Sequence, residues 1–332
     1  MKKILFRSVI MKSGILIHPS ELTEKWIDRM ARLGVDTLGL HPEGGGNAID
    51  SLTALTKQVK SEKFKNLIDY AHSRGLCVEY EFHAFGYLLP RELFSSHPEY
   101  FRMDKNGERT PNMNFCPSSA EALELVSERA AELVKELYGS SDNYFLWSDD
   151  ARGGVCSCPL CKNLSPADQQ MIVLNAIIKR IKKDNPEARL AYLAYYDTLD
   201  IPRNVEREDG IFLEFAPIDK WHIRQGKTSE QFILGEERER RTCSELIEFF
   251  GKENSRVLEY WIDNSLFSLW KKPPVKLECD EESTYLDIKE YLDIGYESVS
   301  TFGCFLGDDY EELYGEPDIT PFTNAIKRQL KV

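Results

Sequence analysis

"SGILIHPSELTEKWIDRMARLGVDTLGLHPEGGG", residues 13 to 46, contains the unit on which the fold is decided. A short apolar run at its start has the length and composition of a strand. The segment that follows sets Leu22, Trp26, Ile27, Met30 and Leu33 on one helical face and stops at Gly34. A second apolar run then leads into a glycine-rich loop. Strand, amphipathic helix and strand in that order form a βα unit, which belongs to a parallel sheet.

The same alternation continues outward along the whole chain. "LCVEYEFHAFGYLLP" (76 to 90), "NYFLWSDD" (143 to 150), "ARLAYLAYYDT" (188 to 198), "GIFLEFAPID" (210 to 219), "SRVLEYWIDN" (255 to 264) and "SVSTFGCFLG" (298 to 307) read as the third to eighth strands. Helical segments or long loops separate them, such as "SSAEALELVSERAAELVKELYG" (118 to 139), with serines placed to cap it. Eight strands of this kind predict a (β/α)8 TIM barrel with long loops after the third and fourth strands at its C-terminal face. No linker or internal repeat divides residues 1–332, so one barrel domain is expected. "EGGGN" (43 to 47) lacks the glycine spacing of a dinucleotide site and reads as a flexible loop.

With 42% apolar and 29% charged residues the composition is that of a globular protein, and a net charge of -13 argues against nucleic acid as a partner. "EERERR" (236 to 241) reads as a solvated helix surface. The N-terminal "MKKILFRSVIMKSGILIHP" is interrupted by Arg7 and Lys12, and no apolar run reaches the ~18 residues needed to span a membrane. A cytoplasmic location is expected, with Cys77, Cys243 and Cys304 as buried reduced thiols.

Functional groups of such a barrel gather at the C-terminal ends of its strands. There the chain offers His83, Trp147, Asp149, Asp150, Tyr195, Tyr196, Glu214, His222, Glu259, Tyr260, Trp261 and Asp263. Carboxylates among Trp and Tyr suit a sugar, because aromatic faces stack on pyranose rings and carboxylates bind hydroxyls or move protons. Neighbours on a strand alternate in direction, so only one of Tyr195 and Tyr196, and only one of Asp149 and Asp150, is expected to face the site. His18 and His41 precede prolines and read as solvated loop residues.

"WSDDARGGVCSCPLC" (147 to 161) adds Cys156, Cys158 and Cys161 just after the two aspartates. Three thiolates at this spacing, with Cys116 from the neighbouring loop as a fourth, predict a closed structural zinc site in preference to disulfides or free thiols. Its work would be to pin the loop that carries Asp150. No organic cofactor is expected.

The stretches "LLPRELFSSHPEYFRMDKNGERTPNMNFCPSSAE" (88 to 121), "SDD...GGVCSCPLC", "LAYYDT" (193 to 198), "EFAPIDKWHI" (214 to 223) and "LEYWID" (258 to 263) together resemble the bacterial family labelled domain of unknown function 4838. The family is similar to barrel glycoside hydrolases of the hexosaminidase and α-glucuronidase type. Members usually show Asn-Asp-Gly where this chain has Asp149-Asp150-Ala151. The resemblance implies that Asp150 is the proton donor and that Asp149 is its orienting or electrostatic partner. Glu259 or Glu214 is the expected second carboxylate. His83, Trp147, Tyr196, His222, Tyr260, Trp261 and Asp263 complete the expected carbohydrate site. A barrel that binds carbohydrate without cleaving it is the alternative, and a metal-dependent hydrolase or lyase using mouth histidines is a third.

Overall fold

A computed structural model describes residues 11–329. The N-terminal reading therefore lies outside the described residues as far as position 10. The eight apolar runs form β1 (Lys12–Ile17), β2 (Thr37–Leu40), β3 (Cys77–His83), β4 (Asn143–Trp147), β5 (Arg189–Ala194), β6 (Ile211–Phe215), β7 (Ser255–Glu259) and β8 (Ser298–Phe302). All neighbouring pairs are parallel, and β8 closes on β1 with Gly14 opposite Ser300 and Leu16 opposite Phe302. The fold is a closed (β/α)8 barrel.

Side-chain alternation divides each strand between two cores. Residues such as Ile15, Leu38, Val78, Tyr80, Leu213 and Val257 point outward and join the layer beneath the helices. Leu16, Phe145, Trp147, Leu193, Phe212, Leu258 and Phe302 point inward and fill the barrel. The helix Glu24–Leu33 shows how the outer layer is built. Thr23 caps it by accepting the Trp26 N–H, Gly34 ends it at φ 81°, and Trp26, Ile27 and Met30 are buried. In the barrel interior a Cβ on Gly39 would lie 2.5 Å from Leu16 Cγ, so glycine is the residue that lets Leu16 fill the axis.

Low in the barrel the packing becomes polar. The Arg256 guanidinium lies 2.8 Å from Glu79 Oε2, 3.2 Å from Glu81 Oε1 and 3.4 Å from Glu214 Oε1, all deeply buried. Burial pushes Glu81 well above the usual carboxylate range, and the Glu214 charge adds to that. This charged plug forms the floor of the mouth described below.

Three expectations from the sequence are corrected by these packing arrangements. Cys77 opens β3 and is exposed. The basic run 236–241 lies within the helix Glu230–Phe250, yet Glu239 in it is buried and accepts the backbone N–H groups of Asp219 and Lys220, both at 2.8 Å. The glycine-rich loop after β2 packs against the site, because a Cβ on Gly44 would lie 3.1 Å from His83 Cδ2 and 3.4 Å from Asp150 Oδ2. No helix among the described residues is long and apolar enough to cross a membrane.

Candidate active site at the barrel mouth

The inward positions at the strand ends surround a cavity of about 750 Å³ at the C-terminal face. His18, His41, His83, Trp147, Tyr195 and Tyr260 occupy those positions on six strands. Asp150, Tyr196 and Asp263 join them from the connections after the strands, and His222 from the helix Ile218–Arg224. Trp147 is fixed from below, where its Nε1–H donates to Glu214 Oε2 at 2.9 Å. Tyr260 stacks on Phe302 with ring centroids 5.3 Å apart. His222 packs 4.2 Å from Phe232, and burial, helped by the Lys227 charge, pulls it down to about 4.

The two aspartates after β4 part company. Asp149 turns away from the cavity and accepts the Gly86 N–H at 2.8 Å and the Arg91 guanidinium at 2.7 Å. Asp150 turns into the cavity, where no protein group among the described residues donates to its carboxylate. The two tyrosines depart from the simple alternation. β5 ends at Ala194 and Tyr196 has φ 47°, so the chain turns and both rings line the mouth, 3.8 Å apart. Arg152 stacks 3.8 Å over the Tyr196 ring and holds both oxygens of the buried Asp219, at 2.8 and 2.7 Å.

Besides Asp149, three expected site residues lie elsewhere. Glu259 has the outward parity of Val257 and is 3% exposed in the barrel-to-helix layer. It accepts the Tyr291 hydroxyl and lies 3.7 Å from Lys220 Nζ. Trp261 shares that parity; its Nε1–H donates to Asp287 at 2.9 Å and its ring packs on Phe322. Glu214 faces inward but sits in the plug under Trp147, closed off from the cavity. Asp263 stands in the mouth instead. Its Oδ1 accepts the Ser265 N–H at 3.1 Å and hydroxyl at 2.6 Å, and burial pushes it up to about 6.

The sequence reading set His18 and His41 aside as solvated and missed Trp270. The first two have inward parity one residue beyond β1 and β2, a signal that was available. Trp270 lies in an irregular loop, 63% exposed at the cavity rim with φ 54°, and no periodicity marks it.

Beside the mouth, Cys116, Cys156, Cys158 and Cys161 are buried with their sulfurs within 4.8 Å of one another. Cys116 Sγ lies 3.5 Å from Cys156, 3.8 Å from Cys158 and 3.9 Å from Cys161, far outside disulfide length and close to the ~3.8 Å edge of a tetrahedron with ~2.3 Å metal–sulfur bonds. The donor set fits a metal ion. The Met103 N–H reaches Cys156 Sγ at 3.3 Å, and Gln169 bonds the Cys156 backbone through both its N–H and its carbonyl. Asn114, two residues before Cys116, accepts the Asp149 N–H at 2.8 Å and donates to Gly154 O at 3.1 Å. The loop after β3 thus grips both the cysteines and the backbone next to Asp150.

Residues 53–233, more than half of the chain, match the family described as "Domain of unknown function (DUF4838)". Among solved structures the fold is similar to a cold-adapted β-galactosidase from Rahnella sp. R3, at 13% identity and TM-score 0.58 over 98% of this chain and 56% of that one. It is also similar to a GH20 exo-β-N-acetylglucosaminidase from Vibrio harveyi, in complex with N-acetylglucosamine, at 12% identity and TM-score 0.55 over 96% of this chain and 54% of that one. A Bacteroides ovatus GH5 xyloglucanase in complex with a XXXG heptasaccharide aligns at 13% identity and TM-score 0.50, covering 98% and 76%. The chain spans little more than half the length of the first two, and at these identities the likeness is one of fold. No curated protein matches the chain.

Proposed function

The chain belongs to the family of domain of unknown function 4838, and from that premise we propose that it is a glycoside hydrolase acting on a small oligosaccharide or glycoside. The observation that carries the reading is Asp150, an acid without a protein donor inside an aromatic-walled cavity at the end of β4 where a barrel enzyme keeps its chemistry. Asp150 gives its proton to the glycosidic oxygen as the bond from that oxygen to the anomeric carbon breaks, and water completes the sugar product. Asp263, in the turn after β7, takes the part first expected of Glu259. Above pH 6 it is mostly ionised and stabilises the positive charge that develops at the anomeric carbon. Trp147, Tyr196 and Tyr260 supply faces for the sugar ring. Asp149 acts through the loop, holding it to Arg91 and Gly86.

For the cysteine set we infer zinc, held as a closed four-thiolate site. Such a site leaves no position open for water, so its contribution is to fix the loop. Among the described residues the four cysteines are the one group of three or more ligand side chains close enough for a single ion, which favours this role over a metal bound by the mouth histidines.

A panel of nitrophenyl glycosides of both anomeric configurations tests the reading. At least one is expected to be cleaved, and Asp150→Asn and Asp263→Asn are each expected to lower kcat/KM on it by ~10²-fold or more with the folded state intact. Full activity of Asp150→Asn removes the assigned acid. A wild-type protein that binds these compounds and cleaves none is a carbohydrate-binding barrel.

A further inference from the structure

His18 and His41 are mouth residues whose chemistry is constrained by what surrounds them. The Nδ1 of His18 lies 2.8 Å from His41 O, and the Nδ1 of His41 lies 2.8 Å from Glu81 O. A carbonyl oxygen only accepts, so each Nδ1 carries its proton and, in the neutral ring, Nε2 is left as a bare acceptor. Burial holds His18 below the usual histidine value and His41 well below it, the latter helped by its two histidine neighbours. No protein group among the described residues donates to either Nε2, and neither atom is sealed from the cavity that both rings line. The rings stack 6.1 Å apart along one wall.

The remaining charges of the lining point the same way. Glu43, Asp150 and Asp263 are set against Arg152. Through its Nη2 that guanidinium is ion-paired with both oxygens of Asp219, and its plane lies on the Tyr196 face. A ligand carboxylate or phosphate entering here would meet three carboxylates, with no lining cation left without a carboxylate partner to receive it.

We propose that His18 and His41 form an acceptor pair that reads hydroxyl donors of a neutral sugar ring, and that the cavity selects neutral sugars against uronates and sugar phosphates. The proposal rests on the carbohydrate reading above and adds the substrate class to it. A hydroxyl satisfies a bare Nε2 by donating to it, whereas an anion brings a further acceptor and a like charge.

Calorimetric titration of the full chain carrying Asp150→Asn, near pH 7, tests this with methyl glucosides and galactosides against the matching methyl glucuronides and galacturonides. The neutral ligand is expected to bind at least ~10-fold more tightly than its uronate. Adding His41→Asn keeps a donor to Glu81 O through the amide Nδ2 but deletes the Nε2 acceptor. It is expected to weaken the neutral ligand by ~5- to 10-fold and to leave unchanged the affinity for the one monodeoxy analogue that lacks the hydroxyl it reads. A merely structural role would weaken the parent and every deoxy analogue alike, and that result overturns the proposal. A uronate that binds as tightly as its neutral partner overturns it and leaves the carbohydrate reading standing. Binding by none of these ligands overturns both.

Discussion

Replacing Arg256 by methionine would remove the cation that pairs with all three glutamates of the plug beneath Trp147, and its cost follows from those glutamates. In the wild type, burial pushes Glu79 upward, but the Arg256 charge and the hydrogen bonds from Asn143 and Ser141 outweigh it and hold this carboxyl below its ordinary 4.5. Burial pushes Glu214 up to about 7 even with Arg256 beside it. The depressed Glu79 contributes stability that is present above 4.5 and lost only as the pH falls through its folded value. Without Arg256 the sign reverses. Glu79 must take up a proton to stay buried, and the penalty grows with every pH unit above 4.5. At about 1.4 kcal/mol per unit, the ~3.5 units up to pH 8 amount to about 5 kcal/mol, and the ~1 unit up to pH 5.5 to about 1.4 kcal/mol. Methionine recovers part of this through apolar burial, so the net destabilisation is expected at about 3 to 5 kcal/mol near pH 8 and no more than about 1.4 kcal/mol near pH 5.5. Urea unfolding of both proteins at the two pH values, followed by tryptophan fluorescence, measures the difference. A destabilisation equal at both pH values, or below about 1 kcal/mol near pH 8, would refute this account of the plug.

The other predictions concern the mouth and its clamp. Cys161→Ser is expected to lower bound zinc from about one ion per chain and to reduce Tm by several degrees, read by elemental analysis and calorimetry; unchanged metal and Tm would remove the clamp. Gly44→Ala places a methyl group 3.1 Å from His83 and 3.4 Å from Asp150, and is expected to cut kcat by ~10-fold or more while Tm stays put. Trp270→Ala, at a rim position 63% exposed, is expected to change stability by no more than ~0.5 kcal/mol but to raise KM for an oligosaccharide ~5-fold; an unaltered KM would take Trp270 out of the site. With Asp263 pushed up to about 6 by burial and needed as the carboxylate, kcat/KM is expected to rise as the pH climbs through about 6, and Asp263→Asn to abolish that limb.

The barrel was legible because its evidence is periodic. Eight apolar runs, each short and separated by a helical pattern or a long loop, leave little choice of topology, and all eight became strands. Their ends were read too long: the run 143–150 stops as strand at Trp147, and the last three residues are loop. That difference decides which aspartate faces the mouth: continued alternation after Trp147 would send Asp149 inward, whereas the loop turns Asp150 in and Asp149 away. The pairing within the charged plug could not be read, because Glu79, Glu81, Glu214 and Arg256 come from three strands and only closure of the barrel brings them together. His18 and His41 were dismissed as loop residues, although their inward parity was already written in β1 and β2.

β7 shows how far parity carries and where it stops. With Arg256 and Leu258 facing inward, the alternation assigns Tyr260 to the mouth and sends Glu259 and Trp261 behind the barrel, as the structure does. An acid beside aromatic residues looked functional because no structural partner was visible in the sequence. The partners exist: Lys220 Nζ, 3.7 Å from Glu259, also lies 2.8 Å from Asp287, and the Tyr291 hydroxyl donates to Glu259. These contacts tie β7 to the helices Ile218–Arg224 and Glu281–Ile294, so the buried acid is a joint between elements far apart in sequence. Asp263 lies beyond the reach of any alternation rule. Past β7 the chain turns, with the Asp263 N–H bonded to Tyr260 O at 3.2 Å, and the turn returns a carboxylate to the mouth four residues after the strand turned one away. The strand therefore orders the aromatic wall, and the turn that follows it sets the second acid.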